Sequence, residues 1–156
     1  MCLYTTQREP AVADKDITCY KFVLKIRGIR PHQFISYFRS FRYEIGGEYI
    51  TNNFQLKPDI MYGCPREINR GFHSYSKFYD ALKEANSKSQ MLSYEYVLLK
   101  CVIPAGTRYW KGSDYSETTS ELCSEKIRIV AWKYLNEWNM KGKKWCGESG
   151  IEKNKK

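Results

Sequence analysis

Three apolar runs with a period of two restrict what this chain can fold into. Ile17, Cys19, Lys21 and Val23 alternate with Thr18, Tyr20, Phe22 and Leu24, so either set suits a buried face. In Tyr94 to Ile103 (YEYVLLKCVI), Val97, Leu99, Cys101 and Ile103 supply one face, while Leu98 and Val102 partly cover the other. That pattern predicts a central strand. Lys126 to Trp132 alternates again, with Ile127, Ile129 and Ala131 directed inward. A shorter strand over 107–111 follows the turn Pro104-Ala105-Gly106-Thr107, where proline presets φ and glycine permits a positive one.

The period changes once, clearly, to that of a helix. Tyr75, Phe78, Tyr79, Leu82 and Ala85 recur at spacings of three and four, which predicts a helix over 75–86. Ser74 or Ser76 would cap its first amides, and Asn86-Ser87-Lys88-Ser89 would end it. Phe34, Tyr37, Phe38 and Phe41 also fit a helical face, ahead of a turn at Gly46-Gly47 and a short strand at 48–51. Residues 52–70 and 113–124 read as loop. Residues 1–16 read as a polar lead-in and 141–156 as a basic, frayed tail. With 156 residues, 42% hydrophobic and 28% charged, the chain suits one domain spanning 1–156. The expected class is α+β: a twisted, mainly antiparallel sheet with a helix packed on one face.

Composition narrows the setting. The start lacks the charged and apolar regions of an export signal, and no run approaches the roughly 18 apolar residues that span a bilayer. The cytoplasm is therefore the expected compartment, and no membrane partner is expected. Six widely spaced cysteines without a C-x-x-C pair read as free thiols, with Cys19 and Cys101 as small core residues. A metal site is not expected, because the only histidines, His32 and His73, stand away from any cysteine pair. The net charge is +9 and falls in blocks. Tyr20 to Glu44 holds six bases against Glu44, and Lys133 to Lys156 holds seven lysines against three glutamates. Such blocks attract phosphate backbones and acidic partners, so nucleic acid is a possible partner.

Few residues suggest chemistry. His73, placed by this reading at a loop-to-helix junction, suits acid–base work or the holding of an anion beside free helix-start amides. A ring bonded to a backbone carbonyl is the plainer alternative. Glu121 and Glu125, with Glu117 upstream, supply paired carboxylates, but in a polar loop these read as solvated. Bases interleave with rings in Phe38-Arg39-Ser40-Phe41-Arg42-Tyr43 and in Lys141-Gly142-Lys143-Lys144-Trp145, the combination that holds single-stranded nucleic acid. The sequence carries no Walker loop, G-x-G-x-x-G, G-x-S-x-G or H-E-x-x-H.

Two resemblances add to this. The start Met1-Cys2-Leu3-Tyr4-Thr5, the GFHSY stretch Gly71–Tyr75 and the IPxGTxY stretch Ile103–Tyr109 resemble small uncharacterised proteins of gut Bacteroidetes and their phages. That likeness implies a phage or mobile-element context, with the host cytoplasm as compartment, and supplies no activity. Tyr20-Lys21, the turn Gly71-Phe72-His73-Ser74-Tyr75-Ser76 and a late glutamate, Glu125, are similar in order to ADP-ribosyltransferases. This implies NAD as cofactor and Glu125 as catalytic residue. Tyr20 or Lys21 stands where that family has Arg or His, His73 and Tyr75 interrupt its turn, and Glu125 lies one residue early.

The leading expectation is a non-enzymatic phage or mobile-element accessory protein that binds a macromolecule or a small anionic ligand without a cofactor. Tyr20, His73, Ser74 and Tyr75 are its expected ligand-binding residues, and Arg39, Arg42 and Tyr43 its partner-binding residues. The alternatives are an NAD-using transferase and a structural component of the virion.

Overall fold

In the computed structural model, residues 3–25, 33–36, 41–60, 66–89, 96–134 and 145–147 are described. The strands are β1 (Leu3–Thr5), β2 (Ala11–Val12), β3 (Ile17–Lys25), β4 (Gln33–Ser36), β5 (Arg42–Glu44), β6 (Glu48–Ile50), β7 (Arg66–Ile68), β8 (Phe72–Tyr75), β9 (Tyr96–Ile103), β10 (Arg108–Gly112), β11 (Glu121–Ser124) and β12 (Lys126–Tyr134). One helix, α1 (Phe78–Ser89), lies between β8 and β9.

The centre of the sheet is the antiparallel pair β3 and β9, in register from Ile17↔Ile103 to Leu24↔Tyr96. Both faces of this pair are covered, which answers the ambiguity of the alternating β3 sequence. Cys19 and Val23 join Val97, Leu99, Cys101, Ile103, Ile127 and Ile129 in the larger core. Phe22 and Leu98 face the other way, where Ala81 and Ala85 of α1 close over them with Tyr75 and Tyr96. Small residues on the helix let its backbone approach the sheet, and each large side chain fully buried contributes about 1.5–3 kcal/mol.

From this pair an antiparallel sheet extends in the order β2-β10-β11-β8-β3-β9-β12-β6, with β4 on β3 and β5 on β4. A separate ribbon, β1 with β7, brings Leu3 and Ile68 against Trp110 and Cys123 in a third cluster. Gly112 permits this: a Cβ there would collide with the Tyr4 carbonyl of β1.

Several expectations need correction. The helix begins at Phe78, and Gly71–Tyr75 is not a turn leading into it; Phe72–Tyr75 is strand β8. Ser74 therefore caps nothing, and Ser76 Oγ bonds Ser120 instead. Tyr75 still packs against the helix, which is why its spacing matched the helical period. The stretch read as a helix near 34–41 enters and leaves as strands, a hairpin with Phe34 opposite Tyr43; Tyr37, Phe38 and Arg39 lie outside the described residues. Rings at helical spacing are also strong strand formers, and here core contacts decide. Residues 1–16, 52–70 and 113–124 each contribute strands (β1 and β2, β7, β11). In β12 the register shifts between Ile129 and Ala131, so Trp132 takes the face of Ile129, and Ala131 stands opposite Lys100. Most of 141–156 lies outside the described residues, but Trp145–Gly147 packs on the domain, with Cys146 paired to Trp132.

Candidate functional site

Three arrangements bring chemically capable side chains together. The first is a rung across β3, β8 and β11, where Tyr20 stands opposite Tyr75 and Tyr75 opposite Glu121. Glu121 is only 2% exposed. Burial, then the charge of Asp114, push its carboxyl up to about 7, although Thr119 donates to Oε1 at 3.4 Å. Burial, then Glu84 and Glu121, likewise raise the Tyr75 phenol far above its ordinary value. Asp80 accepts the Ser120 amide at 2.9 Å, and Asp114 accepts the Thr118 amide at 2.7 Å, so this end of the helix is acidic.

The second arrangement occupies the opposite face. Cys19 and Cys101 are directly opposed and fully buried. Lys21, two residues along β3, donates to the His73 carbonyl and stands 5.6 Å from the centre of the Tyr43 ring. Burial lowers the Lys21 ammonium, against the opposing effect of the thiols Cys101, Cys19 and Cys123. Burial pushes the Cys19 thiol up, while the neighbouring Cys101 and Ser74 side chains and the charge of Lys21 hold it below its ordinary value overall. Cys101 is raised, first by burial and then by Cys19.

The third lies on the helix side of the sheet. Trp145 stacks on Tyr20 at 6.0 Å and 28°, and Phe78 meets both rings edge-on. Lys133 Nζ stands 4.8 Å from the Trp145 ring centre and 5.6 Å from that of Phe78. Lys100 Nζ stands 5.9 Å from Trp145. All five side chains are partly exposed. Lys100 lies opposite Tyr20 in the β3–β9 ladder, and Lys133 lies opposite Leu98 on β12, so pairing register alone gathers both bases on one face.

Against these arrangements the expected site residues scatter. Tyr20 belongs to the ring cluster, but Ser74 is fully buried beside Cys19, and Tyr75 is 3% exposed. His73 is half-buried, its Nε2 3.6 Å from Cys123 Sγ. Of the partner-binding set, Arg42 is exposed, Tyr43 is a core residue at 2% exposure, and Arg39 lies outside the described residues. Ser74 and Tyr75 therefore do not share a surface with Tyr43: they point to opposite, covered faces of β8, and Tyr43 enters the larger core. Glu125 holds Arg108 through two bonds, of 3.0 and 2.6 Å, and that pairing keeps its carboxyl below the ordinary range. It lies four residues beyond the Glu121 rung, on the order of 13 Å of extended chain, and does not join Tyr20 and Ser74.

Sequence reading missed Lys100, Lys133 and the burial of Glu121, and gave Lys21 a place only in the transferase resemblance. Two signals were present: a lysine within each of the two longest apolar strands, and the Lys144-Trp145 pairing of base and ring. Among the described residues no group of three or more His, Cys, Asp or Glu is placed to hold a metal, and no helix is long and apolar enough to cross a membrane. No family model matches the chain, and comparison with curated proteins and with solved structures gave no match.

Proposed function

We propose that this chain is a non-enzymatic binding protein, an accessory of a phage or mobile element, whose partner is an anionic macromolecule held at the Tyr20–Phe78–Trp145 cluster. The observation that carries this reading is the pairing of three partly exposed rings with two ammonium groups, Lys100 and Lys133. Rings offer a stacking surface and ammoniums offer charge for phosphate, which together suit single-stranded nucleic acid without sequence preference. The net charge of +9 adds long-range attraction.

The test is fluorescence anisotropy with a labelled single-stranded oligonucleotide of about 16 nucleotides. The double variant Lys100→Glu, Lys133→Glu should weaken binding at least about tenfold. Its melting temperature should stay close to that of the parent, since each cation–ring contact at such a site is worth only about 0.5–1 kcal/mol. Arg42→Glu, on the β4–β5 hairpin, serves as the comparison. Loss of affinity in Arg42→Glu alone would transfer the contact to that hairpin, and no binding by the parent chain would remove the reading.

A further inference from the structure

The thiol pair on the other face is independent of that surface. Cys19 and Cys101 are the only cysteines directly opposed across a ladder among the described residues, and both are fully buried. Directly opposed residues of an antiparallel pair have Cα atoms about 4.5–5.5 Å apart, inside the roughly 4.4–6.8 Å that a disulfide needs. Their side chains share one face of the sheet, within the larger core. Cys123, the other thiol buried among the described residues, belongs to β11 and stands opposite His73, with β8 between it and β3. Lys21 is the base on the inward face of β3 nearest the pair, anchored by the His73 carbonyl.

We propose that Cys19 and Cys101 form a redox-active pair that closes to a cross-strand disulfide on exposure to a peroxide, with Lys21 as the residue that positions charge beside Cys19. The Cys19 thiol loses its proton, and the thiolate attacks one peroxide oxygen. The O–O bond breaks, the other oxygen leaves as water after taking a proton, and Cys19 becomes a sulfenic acid. Cys101 Sγ then attacks that sulfur, its proton leaving with the displaced hydroxyl as a second water. In sum, two thiols and one hydrogen peroxide give one disulfide and two waters. Of the two sulfurs Cys19 is the attacking one, since Lys21 lies two residues along the same strand, on the same face, where its charge favours the ionised form of Cys19. Complete burial restricts the oxidant to a small molecule.

The experiment treats the reduced full chain with hydrogen peroxide, then alkylates it in guanidinium and measures intact mass and the proteolytic map. The untreated chain has six thiols to alkylate, and the treated chain should keep four, with the Cys19 and Cys101 peptides joined. Cys101→Ser should lose the link and carry the added oxygen on Cys19. Lys21→Met should form the same link about tenfold more slowly, as thiolate fraction falls. Six alkylated thiols after treatment, or a link running through Cys123 or any other cysteine, would overturn the pair. An unchanged rate in Lys21→Met would overturn the role given to that lysine. Melting curves of the reduced variants, expected to match the parent within a few degrees, show that each compared chain is folded.

Discussion

A single buried carboxyl shows how far residue-level reading reaches. Glu121 lies in the polar run Ser113 to Ser124 and reads as solvated, yet it is almost wholly buried between β10 and β8. Its folded pKa of about 7 exceeds the value of about 4.3 in an unfolded chain, so the folded state holds a proton that the unfolded state releases across that window. Stability from this group is complete below about pH 4.3 and is lost as pH rises through 7, on the order of 3 kcal/mol. Asp114 and Glu125, both held below the ordinary carboxylate range, act in the opposite sense under more acidic conditions. Glu121→Gln keeps a group that can accept from Thr119 and removes the titration. Urea melts at pH 5.5 and pH 8 should show a smaller loss in the variant than in the parent, with the variant the more stable at pH 8. An equal loss in both would place the titration elsewhere.

At the scale of elements, the strands with strong alternation or long apolar runs were legible: β3, β9, β10 and β12 fall within about two residues of their expected spans. Helix α1 was legible in type, with its start displaced because β8 continues the same side-chain spacing. Short strands such as β7 and β11 were not, since an element of three or four residues owes its pairing to neighbours and carries little period of its own. The segment around residues 52–60 illustrates the point. Gln55, 1% exposed, donates through Nε2 to the Lys57 and Glu67 carbonyls and accepts the Asn69 amide at 2.8 Å through Oε1. Its own carbonyl accepts Trp110 Nε1 at 2.7 Å. One side-chain amide thus replaces the backbone ladder that a regular strand would supply. Gln55→Leu leaves these buried groups without their partner and should cost about 2–4 kcal/mol, read by denaturant unfolding, with faster proteolysis within 52–70. A loss below about 0.5 kcal/mol would show that other groups satisfy the segment.

Across the whole molecule, charge is divided: acidic side chains gather near the start of α1 around Tyr75, and Lys100 and Lys133 surround Trp145. If that division guides an anionic strand, the parent's affinity should fall steeply with salt. The slope of log K against log salt should shrink by roughly 1.4 in the Lys100→Glu, Lys133→Glu variant, as two phosphate contacts are lost. An unaltered slope would show that neither lysine meets a phosphate. The expected site at Arg39, Arg42 and Tyr43 illustrates what charge runs omit. Alternating chemistry along a chain does not specify which residues a hairpin turns inward, and Tyr43 is turned inward.

The sequence by itself determined the central strands, the one clear helix and the mainly antiparallel character of the sheet, because period and turn chemistry are local properties of the chain. The order of strands, the burial of Glu121, the opposition of Cys19 to Cys101 and the gathering of Lys100 and Lys133 beside Trp145 were decided only in the tertiary structure. Each depends on pairing register between segments far apart in sequence, and register follows from which faces can be buried together rather than from any one segment's composition.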